Sequence, residues 1–295
     1  MPLSPPNGIA LLGSTQLPLH LAAIRQTAGL QVVGHWSAGA GTVAAPARQD
    51  PAELVCQPQV RAVVLCLDAP EREFWAREAI RAGKMAVCFG LPALTYLRLR
   101  GLVVEADQAG VHLVVIPPLD AGAASLRGLQ AGRVLVSLNG RLPQDLLRHG
   151  REGLLHHWGA FCLQLLAERH GRLDSVYART RSLGLNRPEE DMVSAQLRFT
   201  NGVEGVVSLV ALAADSEVIL EEWGEGERQC HRLTWSSGDS DGPGQGYAAL
   251  AACLEMGCPP PVWMHPPLEG VRWAEWLAQS ARLDREVFAN EVVHG

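Results

Sequence analysis

The chain has 295 residues, a formal net charge of −6 and 47% hydrophobic residues. This length allows two domains with a large core, which excludes a peptide hormone, a disulfide-rich miniprotein and a disordered tail. The 25 basic residues are scattered rather than clustered, so we expect no nucleic-acid partner. Only one of them, Lys84, is a lysine, and any mechanism that needs a lysine therefore has a single candidate.

Apolar runs and helical patterns alternate over the first 118 residues. This alternation predicts a Rossmann-like, doubly wound parallel sheet, with a domain 1–118 that ends at the Pro117-Pro118 pair. Buried strands are expected where the apolar runs are short and continuous, and helices where the spacing is amphipathic. The predicted strands are 9–12, 30–33, 60–67, 85–89 and 111–116, and the predicted helices are 18–27, 70–82 and 97–109.

Residues 119–295 follow a different pattern, in which successive strands favour a second, α+β domain with a largely antiparallel open sheet. Asn139-Gly140 predicts a hairpin-type turn after a strand at 134–138. A hairpin over 194–210 turns at Asn201-Gly202. The remaining predicted elements are a strand pair at 217–221 and 229–235, a loop at 236–246, and helices at 154–167, 247–256 and 268–283.

Seven cysteines at irregular spacings indicate free thiols in a reducing compartment. Cys253 and Cys258 lie five residues apart, and a reducing compartment argues against a redox role for this pair. No apolar stretch reaches the roughly 18 residues that a membrane-spanning helix needs, and no basic segment typical of a signal peptide precedes the first apolar run. We therefore expect a soluble cytoplasmic protein with no membrane partner.

The order of the predicted elements resembles the glucose-fructose oxidoreductase and inositol dehydrogenase (Gfo/Idh/MocA) family nearly end to end. The most specific match is Ala79-Ile-Arg-Ala-Gly-Lys-Met-Ala-Val, and the hairpin at 196–205 is a second. The resemblance implies an NAD(P)-dependent oxidoreductase that acts on a sugar, a polyol or a related small molecule. It also implies a homodimer or tetramer joined through the open face of the C-terminal sheet.

The resemblance places a cofactor site for NAD or NADP on Gly13, Ser14, Thr15, Gln16, Ser37, Asp68 and Pro92. Only the first glycine of the family's dinucleotide fingerprint is kept, and Thr15 has a branched side chain where a glycine lets the backbone approach the pyrophosphate. The ribose-binding carboxylate is replaced by Ser37. Dinucleotide binding is therefore expected to be weakened. Asp68, with Glu71 and Arg72, could bind a polar ligand or cap the following helix, and capping is the favoured interpretation.

The catalytic groups of the family are also replaced. Its Glu-Lys-Pro motif falls on Gly90-Leu91-Pro92, and Lys84 is expected at the end of its strand opposite to the ligand-binding edge. The acid/base histidine falls on Phe161, which cannot transfer a proton. His157 and His156 are the remaining catalytic candidates, against the alternative of packed or solvated histidines. The histidine and cysteine spacings match no zinc motif, so no metal site is expected.

Three hypotheses follow from this pattern. The first is a catalytically degenerate protein that keeps the fold and acts by binding a small-molecule ligand or a protein partner. The second is an active NAD(P)-dependent oxidoreductase with a relocated acid/base at His157 or His156. The third is a non-redox enzyme that uses the same cleft.

Overall fold

The computed structural model describes residues 7–13, 17–37, 50–117, 134–143, 153–183, 190–213, 217–233 and 244–291. The chain forms two compact units. The first unit comprises Met1–Ala93, Arg98–Pro118 and Ser236–Pro266, and the second comprises Leu94–Leu97, Leu119–Trp235 and Pro267–Gly295. The sequence places 236–266 in the second domain, but this segment groups with the first unit. The reason is hydrophobic packing, because Tyr247, Leu250 and Leu254 are buried in the core of the first unit.

The predicted Rossmann-like sheet is confirmed in the first unit. Five parallel strands lie in the order β2-β1-β3-β4-β5. These strands are β1 (Asn7–Gly13), β2 (Leu30–Ser37), β3 (Val60–Cys66), β4 (Met85–Phe89) and β5 (Leu113–Ile116). The helices that alternate with them are α1 (Leu17–Gln26), α2 (Pro51–Cys56), α3 (Ala69–Arg81) and α4 (Tyr96–Ala109).

Burial explains why the strands of this sheet are continuous apolar runs. All seven residues of β1 are buried, and Arg61 is the single exposed residue of β3. Strands covered on both faces lose the alternation of polar and apolar residues that a half-exposed strand shows. In α1 the buried residues are Leu17, His20, Leu21 and Ile24, which is the spacing of one helical face.

The second unit contains the predicted, largely antiparallel sheet, with seven strands in the order β11-β10-β6-β9-β8-β7-β12. Only the β6–β9 pairing is parallel. The strands are β6 (Leu135–Pro143), β7 (Leu173–Arg181), β8 (Met192–Phe199), β9 (Glu204–Ala213), β10 (Glu217–Trp223), β11 (Arg228–Leu233) and β12 (Val287–Phe288). Its helices are α5 (Ala160–His170) and, after α6 (Gly244–Met256) of the first unit, α7 (Leu268–Leu283).

One face of this sheet is covered by α5 and α7. Phe199 of β8 contacts Trp273 of α7 with ring centroids 5.7 Å apart. On the opposite face, Leu135 of β6 and Val206 of β9 are 46% and 41% exposed. No helix in the described ranges is long and apolar enough to cross a membrane.

The predicted hairpin at 194–210 is confirmed, since β8 and β9 pair antiparallel, but the turn expected at Asn139-Gly140 is wrong. β6 runs straight through both residues and pairs with β9 on one side and β10 on the other. Gly140 serves packing instead of a turn, because a Cβ atom there would lie 2.6 Å from Leu209 Cδ2. A glycine inside a strand often marks such a close approach.

The helix predicted at 154–167 begins differently and ends later than expected. It opens with a π-helical turn, Leu155–Gly159, and continues as α5 to His170. The short helix α2 and the strands β7 and β12 were not expected. The predicted loop at 236–246 lies outside the described residues up to 243, and its last three residues belong to α6.

The crossing of α5 and α7 depends on a missing side chain. A Cβ atom on Gly270 would lie 1.9 Å from the carbonyl oxygen of Ala160. Gly270→Ala is therefore expected to lower the free energy of unfolding by about 1–3 kcal/mol through overpacking, as measured by urea denaturation with tryptophan fluorescence. Gly101→Ala in α4 is the control: its Cβ meets nothing within 4 Å, so it should stabilise by about 0.5–1 kcal/mol. Equal effects of both changes would contradict this account.

Candidate functional site

In the first unit, the strand order reverses between β1 and β3. Ligands of doubly wound sheets bind beyond the carboxyl ends of the strands at such a point. Here Gly13, the last residue of β1, pairs with Ser37 of β2 and with Cys66 of β3. The structure therefore brings two of the predicted cofactor residues, Gly13 and Ser37, side by side at this carboxyl edge. Ser14, Thr15 and Gln16 lie outside the described residues.

Gly13 is explained by packing within the protein. A Cβ atom at this position would lie 2.9 Å from Leu17 Cδ1, so the glycine lets α1 begin close to the end of β1. The retained glycine of the fingerprint thus has a structural role that needs no bound phosphate.

The residues at this edge fit a dinucleotide poorly. Ser37 offers one hydroxyl where a carboxylate would accept hydrogen bonds from both ribose hydroxyls. Pro18 lies in the first turn of α1 and removes one of the backbone N–H groups that face an anion at a helix N-terminus.

Arg72 of α3 holds together the two loops that follow β3 and β4. Its Nε donates to the carbonyl oxygen of Leu67 at 2.9 Å, and its Nη2 and Nη1 donate to the carbonyl oxygens of Leu67 and Leu91. Only 5% of Arg72 is exposed. The sequence left ligand binding open for this arginine, but its guanidinium binds main-chain oxygens of the protein.

The loop at Gly90-Leu91-Pro92 is shaped by this arginine. Gly90 has a φ of +93°, and a Cβ atom there would lie 2.9 Å from Arg72 Nη1, so both the backbone and the neighbour require glycine. Leu91 is 1% exposed and Pro92 is buried. The position of the family's lysine is therefore a buried leucine, and Pro92 is part of the packed loop.

Asp68 occupies the N-cap position of α3 and is exposed. Its carbonyl oxygen accepts from the backbone N–H of Arg72, but its side chain makes no capping hydrogen bond. Asp68 thus lies at the helix-cap position that was expected, but the expected capping hydrogen bond from its side chain is absent. The carboxylate lies beyond the carboxyl end of β3, where a ligand could reach it.

Lys84 lies just before β4, at the end of the sheet opposite to the carboxyl edge. Its Nζ donates to the carbonyl oxygen of Gln57 at 3.0 Å. Lys84 is therefore half-buried and tied to the backbone, and the chain's single lysine lies away from the candidate site, as expected.

Beside the carboxyl edge, a buried polar pair joins α1 to α6. His20 Nδ1 and Tyr247 Oη share a hydrogen bond of 2.8 Å, and the His20 ring packs edge-on against Phe89 with centroids 4.3 Å apart. His20 is 2% exposed and Tyr247 is fully buried. The sequence analysis missed this pair, which spans 227 positions. The available signal was a histidine at the helical spacing of Leu17 and Ile24 on an apolar face.

The buried side chains of His20, Tyr247 and Cys66 do not exchange a proton near neutral pH. Burial lowers the pKa of His20 to about 4. Burial raises the pKa of Tyr247 well above 10 and that of the Cys66 thiol well above 9. All three side chains therefore stay uncharged over the physiological range, whereas a general acid or base works best with a pKa near the working pH.

In the second unit, His156 and His157 lie in the π-helical turn that precedes α5. His156 is half-buried, and the side chain of His157 lies outside the described part of the chain. Glu190 holds the start of this segment, because its Oε1 accepts from the backbone N–H of Leu155 at 2.9 Å. Single π-helical turns within helices are frequent at functional sites.

Phe161 and Gln164, which follow on α5, make contacts within the protein. Phe161, at the position of the family's acid/base histidine, is 6% exposed and belongs to the core. Gln164, three residues on, accepts the backbone N–H of Gly270 on its Oε1 at 3.0 Å. This helix face is therefore tied to α7 through a neutral amide.

A buried ionic cluster lies at the carboxyl end of α5. Arg169 Nη2 and Nε lie 2.6 and 2.9 Å from the Glu222 carboxylate, and His170 Nε2 lies 2.9 Å from Glu222 Oε1. Burial raises the pKa of Glu222, but hydrogen bonds from His170 and Arg169 and their charges outweigh it and lower the pKa to about 2. Glu222 is therefore ionised at neutral pH and serves to join α5 to β10.

The search of family models and the search of curated proteins each returned no match. Solved structures do match. The WlbA dehydrogenase from Bordetella pertussis, in complex with NADH and UDP-GlcNAcA, has a TM-score of 0.75 at 21% identity, with 96% of this chain and 99% of that chain covered. The biliverdin reductase from Synechocystis sp. PCC 6803, in complex with biliverdin and NADP+, has a TM-score of 0.73 at 19% identity, covering 94% and 100%.

An oxidoreductase from Agrobacterium radiobacter, in complex with NAD+, L-tartaric acid and magnesium, has a TM-score of 0.70 at 14% identity and covers 98% of this chain and 100% of its own. The chain has the fold of these NAD(P)-binding dehydrogenases. At such identities the likeness establishes the fold. The resemblance to the glucose-fructose oxidoreductase and inositol dehydrogenase family is thus confirmed in the architecture, along both units.

We expect Arg72→Met to destabilise the first unit. The change leaves the carbonyl oxygens of Leu67 and Leu91 buried without this donor, which should cost more than about 2 kcal/mol. Arg100→Met on the exposed side of α4 is the matched control and should stay within about 0.5 kcal/mol of the parent. Urea denaturation measures both. If Arg72→Met matched the control, the loops would not depend on the guanidinium.

His20 should make folding stability depend on pH. Its pKa in the folded chain is about 4 against an ordinary 6.5, so the unfolded chain binds the extra proton between these values. Stability is therefore lost as the pH falls from about 6.5 toward about 4. Between pH 7 and pH 5 this group contributes a loss of about 2 kcal/mol.

The substitution His20→Gln removes the histidine that titrates. The free energy of unfolding of this variant should therefore fall less than that of the parent between pH 7 and pH 5. Urea denaturation at the two pH values measures the difference. His112→Gln, at an exposed histidine, is the control and should keep the parent's dependence. An identical pH dependence in all three proteins would exclude a buried neutral His20.

Proposed function

We propose that the chain is a catalytically degenerate relative of the NAD(P)-dependent oxidoreductases whose fold it has. It acts by binding a small-molecule ligand or a protein partner. The fold itself is of the NAD(P)-binding type, and matched structures contain NADH, NADP+ or NAD+. We expect this chain to bind NAD or NADP only with low affinity, because its ribose-binding and phosphate-binding positions are weakened.

The observation that supports this proposal is the loss of both proton-transfer groups to buried apolar side chains. Oxidation of an alcohol by hydride transfer needs a base that takes the hydroxyl proton. The resemblance puts that chemistry at Leu91 and Phe161, which are 1% and 6% exposed. Neither side chain can accept a proton.

A second candidate function is an active NAD(P)-dependent oxidoreductase acting on a sugar, polyol or related molecule. The π-helical turn with His156 and His157 favours it, because such turns recur at functional sites. A relocated acid/base here would have to work without the lysine that orients the substrate in the family.

We further propose that the protein is cytoplasmic and assembles as a homodimer or tetramer through the open face of its seven-stranded sheet. Seven free cysteines support a reducing compartment. Leu135 and Val206 are large apolar side chains exposed on that face, and their exposure supports its burial in an assembly.

Calorimetric titration with NAD, NADH, NADP and NADPH tests the proposal. We expect no saturable binding in the micromolar range, while light scattering reports a stable dimer. Micromolar binding of any dinucleotide would overturn the degenerate interpretation of the carboxyl edge.

A dehydrogenase activity would by itself favour the second candidate, and His157→Ala and His156→Ala then test where its acid/base lies. A relocated base at either histidine predicts a large loss of kcat in that variant. Activity that survives both changes excludes both histidines as the relocated base.

A further inference from the structure

Two cysteines meet where α6 ends. The helix stops at Met256, and Gly257 follows with a φ of +62°, a left-handed conformation that closes many helices. Cys253, in the last turn, and Cys258, just after the glycine, flank this reversal. Side chains on either side of such a left-handed residue often come into contact. Cys253 Sγ lies 3.8 Å from the carbonyl oxygen of Pro259, and Cys258 lies near enough to raise the pKa of the Cys253 thiol.

The two thiols differ in access. Cys253 is 4% exposed, whereas Cys258 is half-buried and reaches solvent. Burial raises the pKa of the Cys253 thiol, and the neighbouring Cys258 raises it further. A reagent in solution therefore meets Cys258 first, with Cys253 held behind it as a second thiol.

We propose that Cys253 and Cys258 form a reversible disulfide that closes the carboxyl end of α6, with a small-molecule disulfide such as glutathione disulfide as the oxidant. The Cys258 thiolate attacks one sulfur of glutathione disulfide, a Cys258–glutathione disulfide forms, and one glutathione thiolate leaves. Cys253 then loses its proton to solvent and attacks the Cys258 sulfur, which releases the second glutathione. Two protein thiols are oxidised and one glutathione disulfide is reduced to two glutathione molecules.

The other five cysteines are not arranged in this way, and all seven lie in the described residues. Cys56 and Cys230 are exposed and belong to different units. Cys66 and Cys88 are buried on neighbouring strands, but Cys88 pairs with Leu65, so Cys66 points to the other face of the sheet. Cys162 is buried in α5.

Disulfide chemistry also explains the pair better than metal binding. Within the described ranges, no group of three His, Cys, Asp or Glu side chains could hold a metal ion, and two thiols alone fall short of a zinc site. Intracellular disulfides are mostly transient and redox-sensing, so a reducing compartment is compatible with this pair. The sequence analysis takes the reducing compartment as an argument against a redox role for this pair, and the placement of both cysteines at one left-handed turn argues for that role.

Closure of this turn would act on a helix that connects parts of the first unit. The carbonyl oxygen of Leu254 accepts from Arg61 Nη1 at 2.9 Å, next to Cys253. Tyr247, near the start of the same helix, holds His20. A disulfide should therefore slow hydrogen exchange in the last turn of α6.

Glutathione disulfide titration of the folded chain, followed by alkylation and peptide mass mapping, tests the proposal. We expect Cys258 to pass through a glutathione adduct and end as the Cys253–Cys258 disulfide, which dithiothreitol reverses. Cys56 and Cys230 should stay as adducts and act as internal controls. The adduct on Cys258 should resolve faster at pH 8.5 than at pH 7, because the second step needs the Cys253 thiolate.

Variants complete the test. Cys253→Ser should stop the reaction at the Cys258 adduct, Cys258→Ser should abolish the disulfide, and Cys56→Ser should leave its yield unchanged. Repeating the oxidation in urea shows whether the folded geometry is required: the disulfide should form much more slowly there. A persistent Cys258 adduct in the parent chain, or a disulfide between any other two cysteines, would overturn the proposal.

Discussion

The carboxyl edge of the first unit depends on one buried guanidinium. Arg72 donates to the carbonyl oxygens of Leu67 and Leu91 and so ties the loop after β3 to the loop after β4. Hydrogen bonds from a charged donor are stronger than neutral ones, and buried carbonyls left unpaired are costly. In a dinucleotide-binding sheet these loops face the ligand. Here the carbonyl oxygens of Leu67 and Leu91 are satisfied within the protein, and Asp68 is an exposed charge beside them.

In the second unit, the side chains of α5 likewise make contacts within the protein. Phe161 lies where the resemblance places the family's acid/base histidine, but it is buried in the core, and Gln164 accepts the backbone N–H of Gly270. At the end of the same helix, the ionised Glu222 pairs with Arg169 and lies 2.9 Å from His170 Nε2, which fixes the helix to the sheet. The desolvation of a buried ion pair can offset its Coulombic attraction. This cluster therefore serves to join elements of the second unit.

Local patterns predicted most of the fold, because continuous apolar runs such as Val60–Cys66 and helical spacing such as Leu268–Leu283 record burial directly. The failures have non-local causes. Gly140 looks like a turn residue but is small because Leu209 of β9 packs against it. The site was predictable where positions follow a strand end, as for Gly13 and Ser37. The His20–Tyr247 pair and the Arg72 tie join segments that no local spacing relates, so they became visible only in the folded chain.

Gly90 also constrains the order in which this sequence could change. A Glu-Lys-Pro motif at 90–92 would place a side chain at a backbone with φ of +93° and a Cβ 2.9 Å from Arg72 Nη1. Glutamate at position 90 is therefore unfavourable while Arg72 is present, and loss of Arg72 would release both loops. Positions 72 and 90 are thus coupled, so a change at one of them is tolerated best together with a change at the other.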